Sequence, residues 1–320
     1  MDSRKAGGLF LTQTLVSIGG SLWLSFGNPG FALDIIPNLM VSQMMLLLPA
    51  LLFLAVVREN PAKVMNFRPL KFTTCLWIFL FTFLMTPLIV TVNAFSMIFS
   101  DNAVMGISNE VLAQPFPVMV MLMGIFGPFS EEFVFRGVIF GGLRKSGRIL
   151  PAILLPAFLF GLMHMNFNQF CYAFVIGIAL GVLVEVTGSI WSGFVMHAAI
   201  NTSNVVMLYV SSSLTDQMEA ALDESYTSDM MVVAMCVYMV IALATTSIAA
   251  CVLVAIAKNE NGMGRLRNMF TAQKRKESGS AVLLEPVRKE SLISAPTVIA
   301  VILCCAFMIA LEVIKRMIPS

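Results

Sequence analysis

The sequence predicts an all-α fold: a polytopic transmembrane helical bundle of about eight to nine spans, with a four-span core. Three observations carry that prediction. Apolar runs recur that exceed the roughly 18 residues needed to cross a hydrocarbon core of about 30 Å. Charged residues make up 12% of the 320 positions and hydrophobic residues 58%, against about 25% charged in a soluble domain. Basic and acidic residues also sort into alternate loops.

Taken in order, the spans are predicted near 9–26, 38–57, 72–99, 115–142, 149–165, 170–187, 190–210, 230–257 and 294–313. The first is the weakest, because Gly19, Gly20 and several hydroxyl residues dilute it. The third and eighth are long enough to tilt or kink. Arg4 and Lys5 precede the first span. Arg58, Lys63, Arg68 and Lys71 follow the second, and Arg144, Lys145 and Arg148 follow the fourth. Lys258, Arg265, Arg267, Lys274, Arg275, Lys276, Arg288 and Lys289 follow the eighth. The alternate loops carry Asp34, then Asp101 and Glu110, then Asp216, Glu219, Asp223, Glu224 and Asp229. Basic loops stay cytoplasmic, so the N-terminus is expected inside and, with nine spans, the C-terminus outside. Lys315 and Arg316 are a mild violation at that outer end. Residues 1–114 form the N-terminal spans and 115–210 the core. Residues 211–320 form the C-terminal spans, with a basic, flexible cytoplasmic loop at 258–293.

Other features narrow the field. A net charge of +2, with no basic stripe interleaved with aromatics, gives no reason to expect a nucleic-acid partner; the bilayer is the expected one. Cys75, Cys171, Cys236, Cys251, Cys304 and Cys305 lie in or beside apolar runs without a CxxC pair, and read as buried small hydrophobes. No cleavable signal peptide and no internal repeat are evident.

An ionisable side chain near the bilayer centre costs on the order of 3 kcal/mol unless it meets a partner or a wet cavity. Three spans carry such residues. In "PFSEEFVFRG", Glu131 lies 13 residues before Arg144, roughly 20 Å deep at 1.5 Å per residue. Glu132 and Arg136 are i,i+4 and share a face, so they are expected to pair. Glu131 is about 100° round the helix and free of that pair. A purely structural ion network is the competing reading of this trio. In "FGLMHMN", Phe160 and His164 share a face, and in "HAAIN" so do His197 and Asn201. Both histidines of the chain thus sit at intramembrane depth.

This inventory suits amide hydrolysis. A desolvated carboxylate accepts a proton from water, an imidazole shares that role or binds a metal, and a second His with an Asn donates to an oxyanion. Two imidazoles and a carboxylate (His164, His197 and Glu131) also make a common zinc set, although no HExxH is present. Glu185 is expected to snorkel near the end of the sixth span. Asn166, Asn168 and Gln169 are expected to cap a turn. Asn204 is a secondary candidate to line the site, and Pro128 to loosen the helix.

Together the motifs resemble the CPBP group of intramembrane proteases, also called the CAAX-protease or Abi family. Its EExxxR motif reads "EEFVFR" from Glu131 to Arg136. FxxxH reads "FGLMH" from Phe160 to His164, and HxxxN reads "HAAIN" from His197 to Asn201, with "FRG" and "TGSIW" as flanks. The resemblance spans roughly 115–205. It implies an intramembrane endopeptidase of the bacterial plasma membrane acting on a membrane-associated peptide or protein, of CAAX or bacteriocin-processing type. Glu131 and His164 would activate water, Glu132 and Arg136 would form a supporting pair, and His197 and Asn201 would stabilise the tetrahedral intermediate. Phe160 would pack the site. Both a zinc-dependent metalloprotease and a metal-free mechanism fit the resemblance. A non-catalytic immunity or scaffold protein and a proton-coupled transporter remain the alternatives.

Overall fold

The structure is a computed structural model that describes residues 3–26, 33–218, 228–270 and 291–317; among them every regular element is helical. Nine long helices occupy the nine expected spans: α1 (Ser3–Phe26), α2 (Ile35–Val56), α3 (Phe72–Ser96), α4 (Phe116–Ser146), α5 (Ile149–Met163), α6 (Phe167–Thr187), α7 (Ile190–Met218), α8 (Ser228–Asn259) and α9 (Ala295–Met317). Seven are long and apolar enough to cross a membrane. The exceptions have physical reasons. α1 is diluted by polar and glycine residues. α5 has 15 residues, about 22 Å at 1.5 Å each, short of a full hydrocarbon core.

The helices pair along their lengths, α8 against α3, α5 against α6 and α1 against α9, while α7 lies along the first half of α4. Small residues permit the closest approach. A Cβ at Gly177 would stand 3.0 Å from Ala157, and one at Gly181 would stand 2.8 Å from Ile153. This four-residue repeat of glycines lets α5 and α6 touch backbone to backbone. α4 is not a uniform helix. Two π-helical stretches, Val120–Phe126 and Phe133–Phe140, flank the α-helical turn Gly127–Glu132. Pro128 sits in that turn, where it has no N–H to contribute. Such wide turns gather at functional sites.

The two ends of the bundle separate the loops by charge. At one end Glu260 binds the side chain of Arg68 and the backbone of Lys71, Asn66 donates to the carbonyl of Gly188, and Lys145 lies 4.0 Å from Glu59. At the other, Lys315 pairs with Asp101 at 2.6 Å and Asn166 reaches the Asp101 carbonyl. Lys315 thus has an acidic partner at the end where its charge looked out of place.

Four expectations change. The loop 258–293 is structured in its first part, where helix Met263–Phe270 buries Met269 and Arg265 donates to the carbonyls of Val186 and Thr187; residues 271–290 lie outside the described residues. Glu185 does not snorkel: it is 3% exposed and paired with Arg144 (Nη2 to Oε1, 3.0 Å), so a partner rather than water answers its charge. Asn168 is not a cap but a buried strut between α6 and α3, donating to Asn93 and Ser96. Of the six cysteines read as buried only Cys304 is; Cys75, Cys171 and Cys305 are half-buried, and Cys236 and Cys251 are exposed, because their helix face is turned outward; all six are free. Asn166 caps α6 as expected, accepting from the Gln169 N–H. The acidic residues at 219–224 fall outside the described residues, and the side chains of Asp216 and Asp229 outside the described side chains.

Candidate active site

α4 supplies the three charged side chains from its central turn and second π-helical stretch. Arg136 Nη1 donates to Glu132 Oε1 at 2.8 Å, with both side chains 1% exposed. Arg136 Nη2 donates to the Gly177 carbonyl of α6 at 3.2 Å, and its guanidinium carbon lies 4.5 Å from the centre of the Phe160 ring of α5. Three helices therefore hold one cation, and the expected i,i+4 pair is present.

α7 adds His197, which is buried between the two glutamates. Its Nδ1 lies 3.0 Å from Glu132 Oε1 and its Nε2 lies 3.6 Å from Glu131 Oε2. Glu132 Oε1 already accepts from Arg136, so Nδ1 is the natural donor and Nε2 the nitrogen turned to Glu131. Glu131 keeps 18% of its side chain accessible, and so is the member of the pair left open to a reactant.

α5 ends at His164, and Met165 takes a left-handed φ of 53° that turns the chain. His164 Nδ1 lies 2.9 Å from the Phe160 carbonyl. A carbonyl only accepts, so Nδ1 carries the proton and Nε2 of the neutral ring offers its lone pair. The Phe160 ring meets both imidazoles edge to face, with centroids 5.0 Å from His164 and 5.7 Å from His197. Asn201, one turn beyond His197, donates through Nδ2 to the Met123 carbonyl in the first π-helical stretch, at 3.2 Å. Glu131, Glu132, Arg136 and His197 thus form one connected network, joined through Phe160 to His164, while Asn201 is tethered to the neighbouring turn of α4. Asn204 is exposed.

Three contributors escaped sequence reasoning. Gly193 lies against the second carboxylate oxygen of Glu132, and a Cβ there would stand 2.6 Å from it. That oxygen is buried and without a hydrogen-bond partner among the described residues. The Gly177 carbonyl is the second acceptor for Arg136; the spacing of Gly177 and Gly181 signals the close approach of α6 to α5, not that acceptor. The Met123 carbonyl is left open because the Gly127 N–H turns to Leu122 and the residue five beyond Met123, Pro128, has no N–H; that proline is its sequence signal.

The geometry also bears on a metal. Among the described residues no three His, Cys, Asp or Glu side chains are gathered where they could hold one. His197 Nδ1 faces Glu132 and His164 Nδ1 faces a carbonyl, which leaves Nε2 of each ring available as in zinc ligands; the zinc set read from the sequence does not fit here because its members are not gathered round one point.

All six candidate residues fall within 113–203, which match the family described as type II CAAX prenyl endopeptidase Rce1-like. The match covers 91 of the 320 residues. Similar proteins include YdiL of Bacillus subtilis (strain 168), 31% identical over 29% of this chain and 38% of that protein. The UPF0177 protein YxdF of Lactococcus lactis subsp. lactis (strain IL1403) is 27% identical over 38% of this chain and 63% of its own length. The membrane-embedded CAAX protease MroQ of Staphylococcus aureus (strain USA300) is 34% identical over 21% of this chain and 30% of its own length. The chain thus aligns with less than two thirds of each of these relatives. No solved structure matches it. With seven helices long and apolar enough to cross a membrane, three of them largely within 113–203, the chain is an integral membrane protein.

Proposed function

We propose that the protein is an intramembrane peptidase that hydrolyses a peptide bond of a membrane-associated peptide, with Glu131 as the general base. The observation that carries this reading is the placement of His197 between two carboxylates of unequal standing. Glu132 is neutralised by Arg136 and holds the ring, while Glu131 is partly open and lies 3.6 Å from the free edge of the ring. That separation exceeds a hydrogen bond, and a water seated across it has two acceptors to donate to.

In the proposed step the water oxygen attacks the carbonyl carbon of the scissile bond while its proton passes to Glu131. The C–N bond then breaks, and the proton returns from Glu131 to the leaving nitrogen. Asn201 retains a second N–H for the developing oxyanion, and His164, whose Nδ1 is held by the Phe160 carbonyl, would relay protons through Nε2 in this reading. This reading moves His197 from the oxyanion to the water, compared with the roles that the family resemblance implies. No step is routed through a metal. The basic end of the bundle is the cytoplasmic one in this reading, and the N-terminus lies on that side. The names of the family and of MroQ favour a CAAX-type substrate class.

The test is cleavage of membrane-anchored peptides by purified protein in detergent, followed by mass spectrometry. Wild type should produce two fragments. Glu131→Gln should lose at least about 100-fold in rate, as expected for removal of a general base, with unchanged thermal stability. Equal cleavage by both proteins would refute the assignment.

A further inference from the structure

A cavity of about 480 Å³ opens at the basic end of the bundle, lined by Arg68, Arg136, Arg144, Lys145, Arg265 and one carboxylate, Glu185. Its walls come from segments far apart in sequence: the loop after α2, the end of α4 and the helix Met263–Phe270. The cations are partly answered from behind the wall. Glu260 holds Arg68 at 3.3 Å, Glu185 holds Arg144, Glu59 lies 4.0 Å from Lys145, and Glu132 holds Arg136. Of these carboxylates only Glu185 lines the cavity itself, beside five cations. Arg265 directs Nε and Nη2 to backbone carbonyls. Burial and then the neighbouring Arg68 and Arg144 push its guanidinium below the usual value, against the pull of Glu185 and Glu260. Arg68, Arg144 and Lys145 keep 43%, 46% and 62% of their side chains accessible, so donors remain within reach of a ligand.

We propose that this vestibule binds a phosphate group, carried by an anionic phospholipid headgroup or free in solution; the site is independent of the peptidase reading. Depth favours the membrane as the source. Phe67 and Trp191 pair with ring centroids 5.6 Å apart at this same end, and Phe72 is 77% exposed at the start of α3. Aromatic side chains of this kind mark the interface where headgroups lie, and basic pockets between helices at that level suit phosphate headgroups.

The test is binding to the full chain in neutral detergent, read by native mass spectrometry and by titration with phosphatidylglycerol, phosphatidylcholine and inorganic phosphate. Phosphatidylglycerol should bind saturably and at least about tenfold more tightly than phosphatidylcholine. Lys145→Gln, at an accessible position, should weaken it about fivefold, and Arg68→Gln should do so again. Should Arg68→Gln fail to fold because Glu260 loses its partner, the salt dependence of wild-type binding supplies the second measurement, with affinity falling as salt rises. Competition by millimolar inorganic phosphate would support the site with free phosphate as a source; absence of competition with variant-sensitive lipid binding would support the lipid. Equal affinity for the two lipids, or phosphatidylglycerol binding insensitive to both Lys145→Gln and salt, would overturn the proposal. So would displacement of the lipid by a peptide carboxylate but not by phosphate.

Discussion

Arg136→Met probes the centre of the network. The substitution keeps an unbranched apolar stem over Phe160 but deletes the charge. Glu132, 1% exposed, loses its cation at 2.8 Å, the Gly177 carbonyl loses its donor, and Phe160 loses a cation at 4.5 Å. Removing one member of a buried pair costs about 3–5 kcal/mol, because the other charge stays buried. His197 still touches Glu132 Oε1, which places the expectation near the lower end, about 3 kcal/mol. At about 2–4 °C per kcal/mol for domains of moderate size, the melting temperature should drop by roughly 6–12 °C. Thermal unfolding in detergent, followed by intrinsic fluorescence, reads this directly. The companion variant Glu132→Gln/Arg136→Met removes both charges and should recover at least half of the loss, because no uncompensated ion remains. A melting temperature for Arg136→Met within about 2 °C of wild type would refute the reasoning. So would a double variant that falls by the sum of the two single losses.

Two further outcomes follow from local geometry. Gly193→Ala places a Cβ 2.6 Å from the Glu132 carboxylate, and should destabilise by about 1–3 kcal/mol through overpacking; a denaturation midpoint equal to wild type would show that the carboxylate has room to move. At the opposite end, the hydrogen bond and charge of Lys315 hold the exposed Asp101 carboxyl below its usual range. The folded-state value is the lower one, so this tie is fully present above the unfolded carboxylate range, about 3.9, and fades as pH falls through the folded-state value. Lys315→Ala should return the Asp101 titration, followed by carboxyl NMR in detergent, to the ordinary range, and an unmoved titration would refute the tie.

Everything that depends on spacing along one helix was determined by the sequence alone. The nine apolar runs became nine helices, seven of them long and apolar enough to cross a membrane. Glu132 and Arg136 paired because an α-turn brings i and i+4 together whatever surrounds them, and the turn Gly127–Glu132 and the start of the next stretch preserve that geometry. Of the charge sorting, the basic residues Arg68, Arg144, Lys145 and Arg265 do gather round one cavity.

Tertiary structure decided what those faces meet. Nothing local brings His197 to Glu132, 65 residues earlier in the chain. That contact needs α7 to approach α4 closely, which Gly193 permits by having no side chain. Glu185 shows the same limit. Its distance from the end of α6 suggests snorkelling, yet Arg144 on another helix reaches it first, and a partnered charge has less to gain from water. The first π-helical stretch of α4 hands the Gly127 N–H to Leu122, a registry shift that hydropathy does not record, and Pro128 then has no N–H for the Met123 carbonyl, which Asn201 takes instead. Periodicity along a chain reports the faces a helix owns; which faces come together is settled by how closely neighbouring backbones can pack.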